Sequence, residues 1–113
     1  MNRIKLQALL RSGTVDLDDL VVGTDSCDRD LRNNRWTNEH VLQMLNCLLA
    51  VDYRKSEWCQ VRGGQNLPSD VYVLPFDNVR QQRRPGGLDV YLKFSLGTDG
   101  TLTIVLVSCH SSR

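Results

Sequence analysis

Apolar residues recur at helical spacing in the first half of the chain. Thr37 is a residue type that favours the N-cap of a helix, and Glu39 is favourable in a first turn. The apolar residues that follow repeat every three to four positions: Val41, Leu42, Met44, Leu45, Leu48 and Leu49. This spacing predicts a helix over 38–50. A shorter apolar block ends at Ser12-Gly13, a helix stop signal, and predicts a helix over 3–12.

The segment between these two predicted helices is less regular. Residues 16–22 fit either a second short helix or a strand, because the apolar run is short. Residues 23–35 are polar and charged and have little periodicity, so they are expected to form mostly loop.

In the second half of the chain the hydrophobic period changes from about 3.6 residues to about 2, which indicates β-structure. Residues 53–61 and 70–74 are predicted to be strands, with a turn over 62–66 between them. Pro75 is expected to end the second strand. The basic stretch 80–87 follows, either as a loop that contacts an anion or as a solvated connector.

The last two predicted strands, 90–96 and 102–109, form a hairpin around the turn signal Asp99-Gly100. A two-residue type I′ turn there would pair Phe94 with Val105, Leu92 with Val107, and Tyr91 with Ser108. One set of side chains then faces the core: Val90, Leu92, Phe94, Val105 and Val107. A second set shares the other face: Tyr91, Lys93, Ser108 and His110. A four-residue loop over 97–100 would change the parity and separate the second set.

Length and composition bound the fold class. The chain has 113 residues, of which 41% are hydrophobic and 24% charged, values that fit a single domain. We predict an α+β fold with a helical part over about 1–50 and a sheet part over about 51–110. No apolar run is long enough to span a bilayer, and the first residues do not resemble a signal peptide. We therefore expect a soluble cytoplasmic protein without membrane contact.

The charge of the chain is nearly balanced, with a formal net charge of +1 at pH 7. Residues 1–52 carry six basic and eight acidic side chains, whereas residues 53–113 carry eight basic and five acidic ones. The second half is thus the better candidate for contact with an anionic ligand, although ordinary solvated surface charge would produce the same difference.

The cysteines and histidines do not form a metal-binding pattern. Cys27, Cys47, Cys59 and Cys109 are widely spaced, and the chain has only two histidines. We expect no metal site, no cofactor and no disulfide framework. Cys47 and Cys109 lie in apolar blocks and are expected to act as small buried apolar residues.

Four segments resemble, in order and spacing, the MqsR family of bacterial toxin–antitoxin ribonucleases: DYRKSE at 52–57, SDVY at 69–72, DVYLKFSL at 89–96 and LTIVLVSCH at 102–110. That family has a DFYKSM-like block, then W-Q-D-V-Y, V-Y-L-K and a closing strand ending V-S-F-K. The resemblance implies a RelE-like domain, with N-terminal helices on a mainly antiparallel twisted sheet. It also implies a sequence-selective mRNA interferase in the bacterial cytoplasm and a cognate antitoxin partner.

The resemblance extends to particular residues. Lys55 matches the lysine of the family's Y-K-S block, and Tyr91 matches the tyrosine of its V-Y-L-K block. His110 stands where the family has its terminal lysine, and Ser69 stands where it has a glutamine. Histidine can donate or accept a proton near neutral pH, and serine can hydrogen-bond a phosphate or ribose hydroxyl over a shorter reach than glutamine.

The implied chemistry is RNA cleavage by attack of the ribose 2′-hydroxyl on the adjacent phosphate, without a metal. It needs a base, an acid and fixed positive charge. Our hypothesis makes His110 the general acid and lets Lys55 or Tyr91 assist the base step. The expected substrate-binding residues are Ser69, Arg80, Arg83, Arg84 and Lys93. Bases could stack on Tyr72 or Trp58.

Two other functions stay open. The chain could be a non-catalytic binding protein of the same fold, a hypothesis that the replacements at Ser69 and His110 favour. A small DNA-binding protein is less consistent with the absence of a helix-turn-helix pattern and the nearly neutral charge. An antitoxin would be expected to use an exposed strand edge, either 53–61 or 102–109.

Overall fold

The computed structural model describes residues 20–96 and 104–111. These residues form an α+β arrangement with two α-helices, α1 (Asp25–Asn34) and α2 (Asn38–Asn46). The strands in the same ranges are β1 (Leu20–Val22), β2 (Tyr53–Gln60), β3 (Asn66–Asp77), β4 (Gln82–Arg83), β5 (Leu88–Leu96) and β6 (Ile104–Ser111). Short 3-10 turns occupy Ala50–Asp52 and Arg62–Gly64. The helix predicted over 3–12 and the turn predicted at Asp99-Gly100 lie outside the described residues.

The strands form one mixed sheet in the order β1-β6-β5-β3-β2, with β4 also beside β3. The pairing of β1 with β6 is parallel, and the other pairs are antiparallel. β2 ends this order and pairs with β3, so the prediction of an edge strand over 53–61 agrees with the topology. The alternative edge, 102–109, is wrong because β6 lies between β1 and β5.

The hydrophobic core lies between the two helices and one face of the sheet. Alternate residues of β3 and β5 point to opposite faces, so every second position of these strands contributes to it. Tyr72 and Phe94 stack at its centre, with ring centroids 5.6 Å apart and planes at 12°. The buried cluster comprises Leu20, Cys27, Leu31, Trp36, Val41, Met44, Leu45, Leu48, Tyr72, Leu74, Phe76, Val90, Leu92, Phe94, Ile104, Leu106 and Cys109.

Helix α1 overturns the expectation that residues 23–35 form mostly loop. Thr24 caps it, because its Oγ1 accepts a hydrogen bond from the backbone N of Cys27 at 3.1 Å. Only Cys27 and Leu31 of this helix are buried, so a weak apolar period still provides a face that packs on the sheet. Immediately before the helix, residues 20–22 adopt the strand alternative of the ambiguous segment 16–22.

Helix α2 begins where it was predicted, after Thr37, but it ends at Asn46 rather than at residue 50. The chain then turns through Ala50–Asp52, where the Asp52 carboxylate accepts a hydrogen bond from the backbone N of Leu49 at 2.8 Å. Asp52 is buried and also forms a two-pronged ion pair with Arg83, whose Nη1 and Nη2 lie 2.5 and 2.8 Å from its oxygens. These contacts tie the turn after α2 to β4.

Strand β3 is longer than predicted, and the basic stretch after it contains a strand that was not predicted. β3 runs through both Pro68 and Pro75, so Pro75 does not end it. Pro75 still accepts a backbone hydrogen bond, from the N of Arg84 at 3.1 Å. The basic stretch 80–87 contains the short strand β4, which pairs with the end of β3.

The register of the β5–β6 hairpin differs from the predicted one. Phe94 pairs with Leu106 rather than with Val105, and a β-bulge then lets Lys93 pair with Ser108 and Tyr91 with His110. As a result Ile104, Leu106 and Cys109 enter the core cluster, whereas Val105 does not, and Val107 is buried at the bulge but lies outside that cluster. The predicted grouping of Tyr91, Lys93, Ser108 and His110 on one face is nevertheless confirmed.

All four cysteines are free. Cys27 and Cys109 are fully buried, as expected for the latter, whereas Cys47 is partly exposed and packs against the core. Burial raises the pKa of the Cys27 thiol to about 12, and nearby Asp30 adds to the shift. Burial likewise raises the pKa of Cys109. Neither thiol is therefore a nucleophile near neutral pH.

No helix among residues 20–96 and 104–111 is long and apolar enough to cross a membrane.

Candidate functional site

Polar side chains from three strands meet on the sheet face opposite the core. Lys55 of β2 pairs with Val71 of β3, Val71 pairs with Lys93 of β5, and Lys93 pairs with Ser108 of β6. Because paired residues of adjacent strands point to the same face, these residues form one row across the sheet. A second row contains Tyr91 and His110, paired across β5 and β6. We call Lys55, Glu57, Tyr91, Lys93 and His110 the site cluster.

The rings of Tyr91 and His110 are stacked. Their centroids are 4.9 Å apart and their planes are inclined by 11°. The Nδ1 of His110 lies 2.8 Å from the carbonyl oxygen of Ser111, which can only accept a hydrogen bond. Nδ1 is therefore assigned as the donor, and in the neutral ring this leaves Nε2 with the free lone pair. His110 thus presents one nitrogen that can exchange a proton with a ligand.

Glu57 joins the two lysines of the cluster. Its Oε1 lies 2.9 Å from the Nζ of Lys55, and its Oε2 lies 2.6 Å from the Nζ of Lys93. The Sγ of Cys59 also donates to Oε2, at 3.7 Å. Lys93 then reaches over the ring of Tyr91, with Nζ 5.8 Å from the ring centroid. A continuous set of contacts therefore links Lys55 to Glu57, Lys93, Tyr91 and His110.

These contacts decide which groups carry charge. The hydrogen bond from Lys93, followed by that from Lys55, lowers the pKa of Glu57 to about 2. The hydrogen bond that Lys55 donates to Glu57 raises the pKa of Lys55. For Lys93, burial opposes the charged form, but its bond to Glu57 and the nearby Tyr91 and Cys59 outweigh burial and raise its pKa. Near neutral pH the cluster therefore holds two cations and one anion.

This charge state narrows the roles that each group can take. A carboxylate with a pKa near 2 is a weak base, so Glu57 is unsuited to remove a proton at neutral pH. The raised pKa of Lys55 favours a role as fixed positive charge over the base role considered for it from the sequence. His110 is the member whose side-chain type exchanges protons most readily near neutrality.

Ser69 lies on the same face, opposite Glu57 in the β2–β3 register. It is buried, with 1% of its surface exposed, and its Oγ donates to the carbonyl oxygen of Leu67 at 3.2 Å. Its hydroxyl is thus enclosed beside the site cluster rather than presented at the surface.

The three arginines expected to bind substrate lie elsewhere. They belong to the connection between β3 and β5, and Arg83 pairs with Phe76 of β3. Phe76 is five residues along β3 from Val71, the partner of Lys55, a distance of about 17 Å at the rise of a strand. The guanidinium of Arg83 is held by Asp52, on the core side of the molecule. The structure does not bring these arginines into the site cluster.

Arg80 and Arg84 are exposed, and both contact Asp77. The backbone N of Arg80 donates to Asp77 Oδ1 at 3.0 Å, and the Nη1 of Arg84 lies 3.7 Å from Asp77 Oδ2. The hydrogen bond from Arg80 is the main reason why the pKa of Asp77 is lowered. These two side chains are free to approach a long anionic ligand only at the edge of the sheet near β4.

The two candidates for base stacking differ in exposure. Tyr72 is fully buried in the core, so the expectation that a base could stack on it is wrong. Trp58 is 73% exposed on β2. Nearby on the same strand, the Tyr53 hydroxyl lies 2.6 Å from Ser56 Oγ, which donates to Asp70 Oδ1 at 2.5 Å.

Glu57 is the member of the cluster that sequence reasoning missed. A signal was present, because alternation along β2 places Glu57 on the same face as Lys55. The pairing of both lysines with one carboxylate also needed the β2–β3–β5 register, which the sequence does not supply. Among the described residues, no group of three or more His, Cys, Asp or Glu side chains is arranged to hold a metal ion.

Comparisons with protein-family models, with curated proteins and with solved structures found no significant match to this chain. The assignment of a function therefore depends on the chemistry of the site cluster and on the resemblance of the four sequence segments.

Proposed function

We propose that this protein is an endoribonuclease of the MqsR type, a toxin that cleaves mRNA by attack of the ribose 2′-hydroxyl on the adjacent phosphate. One observation supports the proposal most directly. The Tyr91–His110 stack, which offers a proton-exchanging nitrogen, adjoins the ammonium groups of Lys93 and Lys55 on one face of the sheet. Acid–base groups beside fixed positive charge are what transfer at a phosphodiester requires.

In the proposed reaction a bond forms between the 2′ oxygen and phosphorus, and the bond between phosphorus and the 5′ oxygen breaks. The products are a 2′,3′-cyclic phosphate and a 5′-hydroxyl. Protonated His110 gives its proton to the leaving 5′ oxygen. The Tyr91 hydroxyl accepts a hydrogen bond from the 2′-hydroxyl and assists the departure of its proton to solvent. The cations Lys55 and Lys93 stabilise the charge that develops on the phosphorane.

An RNA longer than one nucleotide can reach beyond the site cluster. Trp58 exposes a ring on the edge strand that carries Lys55, but on the opposite face of the sheet, so an RNA reaches it by crossing the edge at β2. Base stacking on such a ring does not depend on sequence. Arg80 and Arg84 can contact phosphates of the RNA backbone at nucleotides farther from the cleaved bond. In this proposal the mixed sheet with its two helices is a variant of the RelE-like fold, and the enzyme acts in the bacterial cytoplasm with a cognate antitoxin as partner.

The direct test is cleavage of RNA by the purified protein. A mixed-sequence single-stranded RNA is incubated with the protein in the presence of EDTA, and the product ends are identified by mass spectrometry. We expect cyclic phosphate and 5′-hydroxyl ends. His110→Ala should lower the rate by about 100-fold or more, the usual contribution of a general acid. His40→Gln is the matched control, because His40 lies on α2, where its Nδ1 accepts a hydrogen bond from the backbone N of Thr37.

The same comparison in bacteria covers the case in which cleavage needs the ribosome. New 5′-hydroxyl ends are mapped after brief induction of the wild type, of His110→Ala and of His40→Gln. New ends should appear with the wild type and with His40→Gln and be absent with His110→Ala. If the wild type yields no new ends in the test tube or in the cell, the proposed activity is wrong.

A non-catalytic binding protein of the same fold is the second candidate. The edge position of β2 and the exposure of Trp58 on it favour this function, since an edge strand can pair with a partner strand. Such a protein should keep its effect on growth in His110→Ala and Lys55→Ala, and lose it when Trp58 is changed to Ala.

A further inference from the structure

Glu57 is the one anion within the site cluster, and it contacts both cations. Each carboxylate oxygen forms an ion pair with one ammonium group: Oε1 is 2.9 Å from Lys55 Nζ, and Oε2 is 2.6 Å from Lys93 Nζ. The two ammonium groups differ in access to solvent, since the side chain of Lys93 is 14% exposed and that of Lys55 is 60% exposed. The cluster thus contains an enclosed cation and an accessible one.

The enclosed cation depends on Glu57 more than the accessible one does. Burial by itself disfavours the charged form of Lys93, and the carboxylate offsets that effect. Lys55 is well solvated, so water can replace the carboxylate as its partner. Removal of the negative charge should therefore disturb Lys93 first.

Lys93 in turn borders the stacked rings. Its Nζ lies over the face of Tyr91, and Tyr91 lies flat against His110. A lysine chain has several rotatable bonds, so without a fixed acceptor its ammonium group would leave this position for solvent. The bond to Glu57 is the contact that keeps it over the ring.

We propose that Glu57 is a positioning residue that holds the Lys93 ammonium over Tyr91 and the Lys55 ammonium at the accessible rim, where a phosphate of the RNA contacts it. This inference rests on the proposed ribonuclease function. In this arrangement Lys55 touches the substrate. Lys93 does not touch it, and its positive charge acts electrostatically on Tyr91 and on the phosphate. Glu57 does not exchange a proton during the reaction.

The test compares Glu57→Gln with the wild type in kcat and KM for one RNA. Gln keeps the size of the side chain but loses the charge that binds two ammonium groups. We expect kcat to fall by about tenfold or more, as misplacement of a group near the reacting atoms does, with little change in KM. Glu57→Asp should recover part of the loss, because it restores the charge on a shorter side chain. Glu39→Gln is the matched control, since Glu39 is exposed on α2 and is the other glutamate of the chain.

If Glu57 competed with RNA for the two lysines, its substitution would have a different effect. If the carboxylate merely occupies the place of the phosphate and is displaced by RNA, Glu57→Gln should lower KM and leave kcat unchanged. Either that result or identical constants in all three glutamate variants would overturn the positioning role.

Lysine ammonium signals in NMR spectra separate this inference from the proposed activity, since they need no RNA. The titratable groups around Lys93 are Glu57, Lys55 and Cys59 on β2, Tyr91 on its own strand and His110 on β6. With 15N-labelled lysine, the Lys93 signal should be protected from exchange in the wild type and in Glu39→Gln, and lost in Glu57→Gln. If the wild type cleaves no RNA but these spectra behave as expected, the proposed function is wrong and the positioning role of Glu57 is supported. If the Lys93 signal is the same in all three proteins, the positioning role is wrong whatever the activity.

Discussion

The imidazole of His110 lies flat on the ring of Tyr91, with centroids 4.9 Å apart, and a β-bulge in β6 makes this contact possible. Toward the C-terminal end of β5, Phe94 pairs with Leu106 of β6. Continued without a bulge, that register would place Cys109 opposite Tyr91 and turn His110 toward the core. The extra residue, Val107, shifts the pairing by one position, so Cys109 is buried and His110 reaches the site face.

Thr24 couples the cap of α1 to this bulge. Its hydroxyl donates to the carbonyl oxygen of Val107 at 2.8 Å and accepts from the backbone N of Cys27. Thr24→Val keeps the shape but loses both hydrogen bonds, so we expect the free energy of unfolding to fall by about 1–2 kcal/mol. The rate of RNA cleavage should fall as well, because the bulge positions His110. Urea unfolding and the cleavage assay measure the two effects.

Thr24→Ser is the control for that change, since it retains the hydroxyl. It should stay within about 0.5 kcal/mol of the wild type. Equal stability of Thr24→Val and Thr24→Ser would mean that the hydroxyl does not hold the bulge.

The elements with strong local signals were predictable from the sequence. Thr37 and the apolar repeat after it located the start of α2, and the alternation over 53–61 located β2. Helix α1 was not predictable in this way, because only Cys27 and Leu31 supply its buried face and its formation depends on the cap and on packing against the sheet.

Contacts between residues that are far apart in the sequence were the part of the site that could not be predicted. The sequence grouped Tyr91 with His110 correctly, although it attributed the grouping to a tight turn and not to a bulge. Arg83 was expected to bind substrate because it lies in a basic stretch. Its partner Asp52 is 31 residues away, and such a pairing has no signature in local pattern. The contact of Glu57 with Lys93 could not be predicted for the same reason, since these residues are 36 positions apart.

His110→Lys tests the departure from the family pattern. The reference pKa of an imidazole is about 6.5 and that of a lysine ammonium is about 10.4. If residue 110 is the general acid, the lysine variant should retain measurable cleavage, with its pH–rate profile extended to more alkaline pH. The profile is obtained from initial rates between pH 5 and pH 10. A His110→Lys variant with the same profile as the wild type would show that another group supplies the proton.

The pH dependence of stability should report the Glu57 contacts. The pKa of Glu57 is about 2 in the folded protein, below its ordinary value of 4.5, so the unfolded chain binds the proton more readily. Its contribution to stability is therefore complete above about pH 4.5 and is lost as the pH falls toward 2. We expect the wild type to be more stable than Glu57→Gln at pH 7, and the difference to shrink steadily between pH 4.5 and pH 2. Urea unfolding at a series of pH values measures it, with Glu39→Gln expected to follow the wild type.

Substitutions of Arg83 and Arg84 should change stability by different amounts, because Arg83 pairs with the buried Asp52 and Arg84 is exposed. Arg83→Ala leaves the buried carboxylate of Asp52 without its partner, so we expect a loss of about 3 kcal/mol. Arg84→Ala removes an exposed, 3.7 Å contact and should change stability by less than about 0.5 kcal/mol. Chemical unfolding measures both. If Arg83→Ala is as stable as the wild type but binds RNA less tightly, the substrate-binding role expected from the sequence would be restored.

The two tryptophans give a direct readout of RNA contact, because their surroundings differ. Trp36 is buried and its Nε1 donates to Asn78 Oδ1 at 2.6 Å, whereas Trp58 is 73% exposed. Stacking of a base on Trp58 should quench its fluorescence when single-stranded RNA is added, and Trp58→Phe should abolish most of the quenching. Trp58→Ala should leave stability within about 0.5 kcal/mol of the wild type. It should weaken RNA binding by about tenfold, the effect of losing one base–aromatic stack. Unchanged affinity in Trp58→Ala would mean that RNA passes the site without crossing the edge at β2, and would leave the exposed ring to a protein partner.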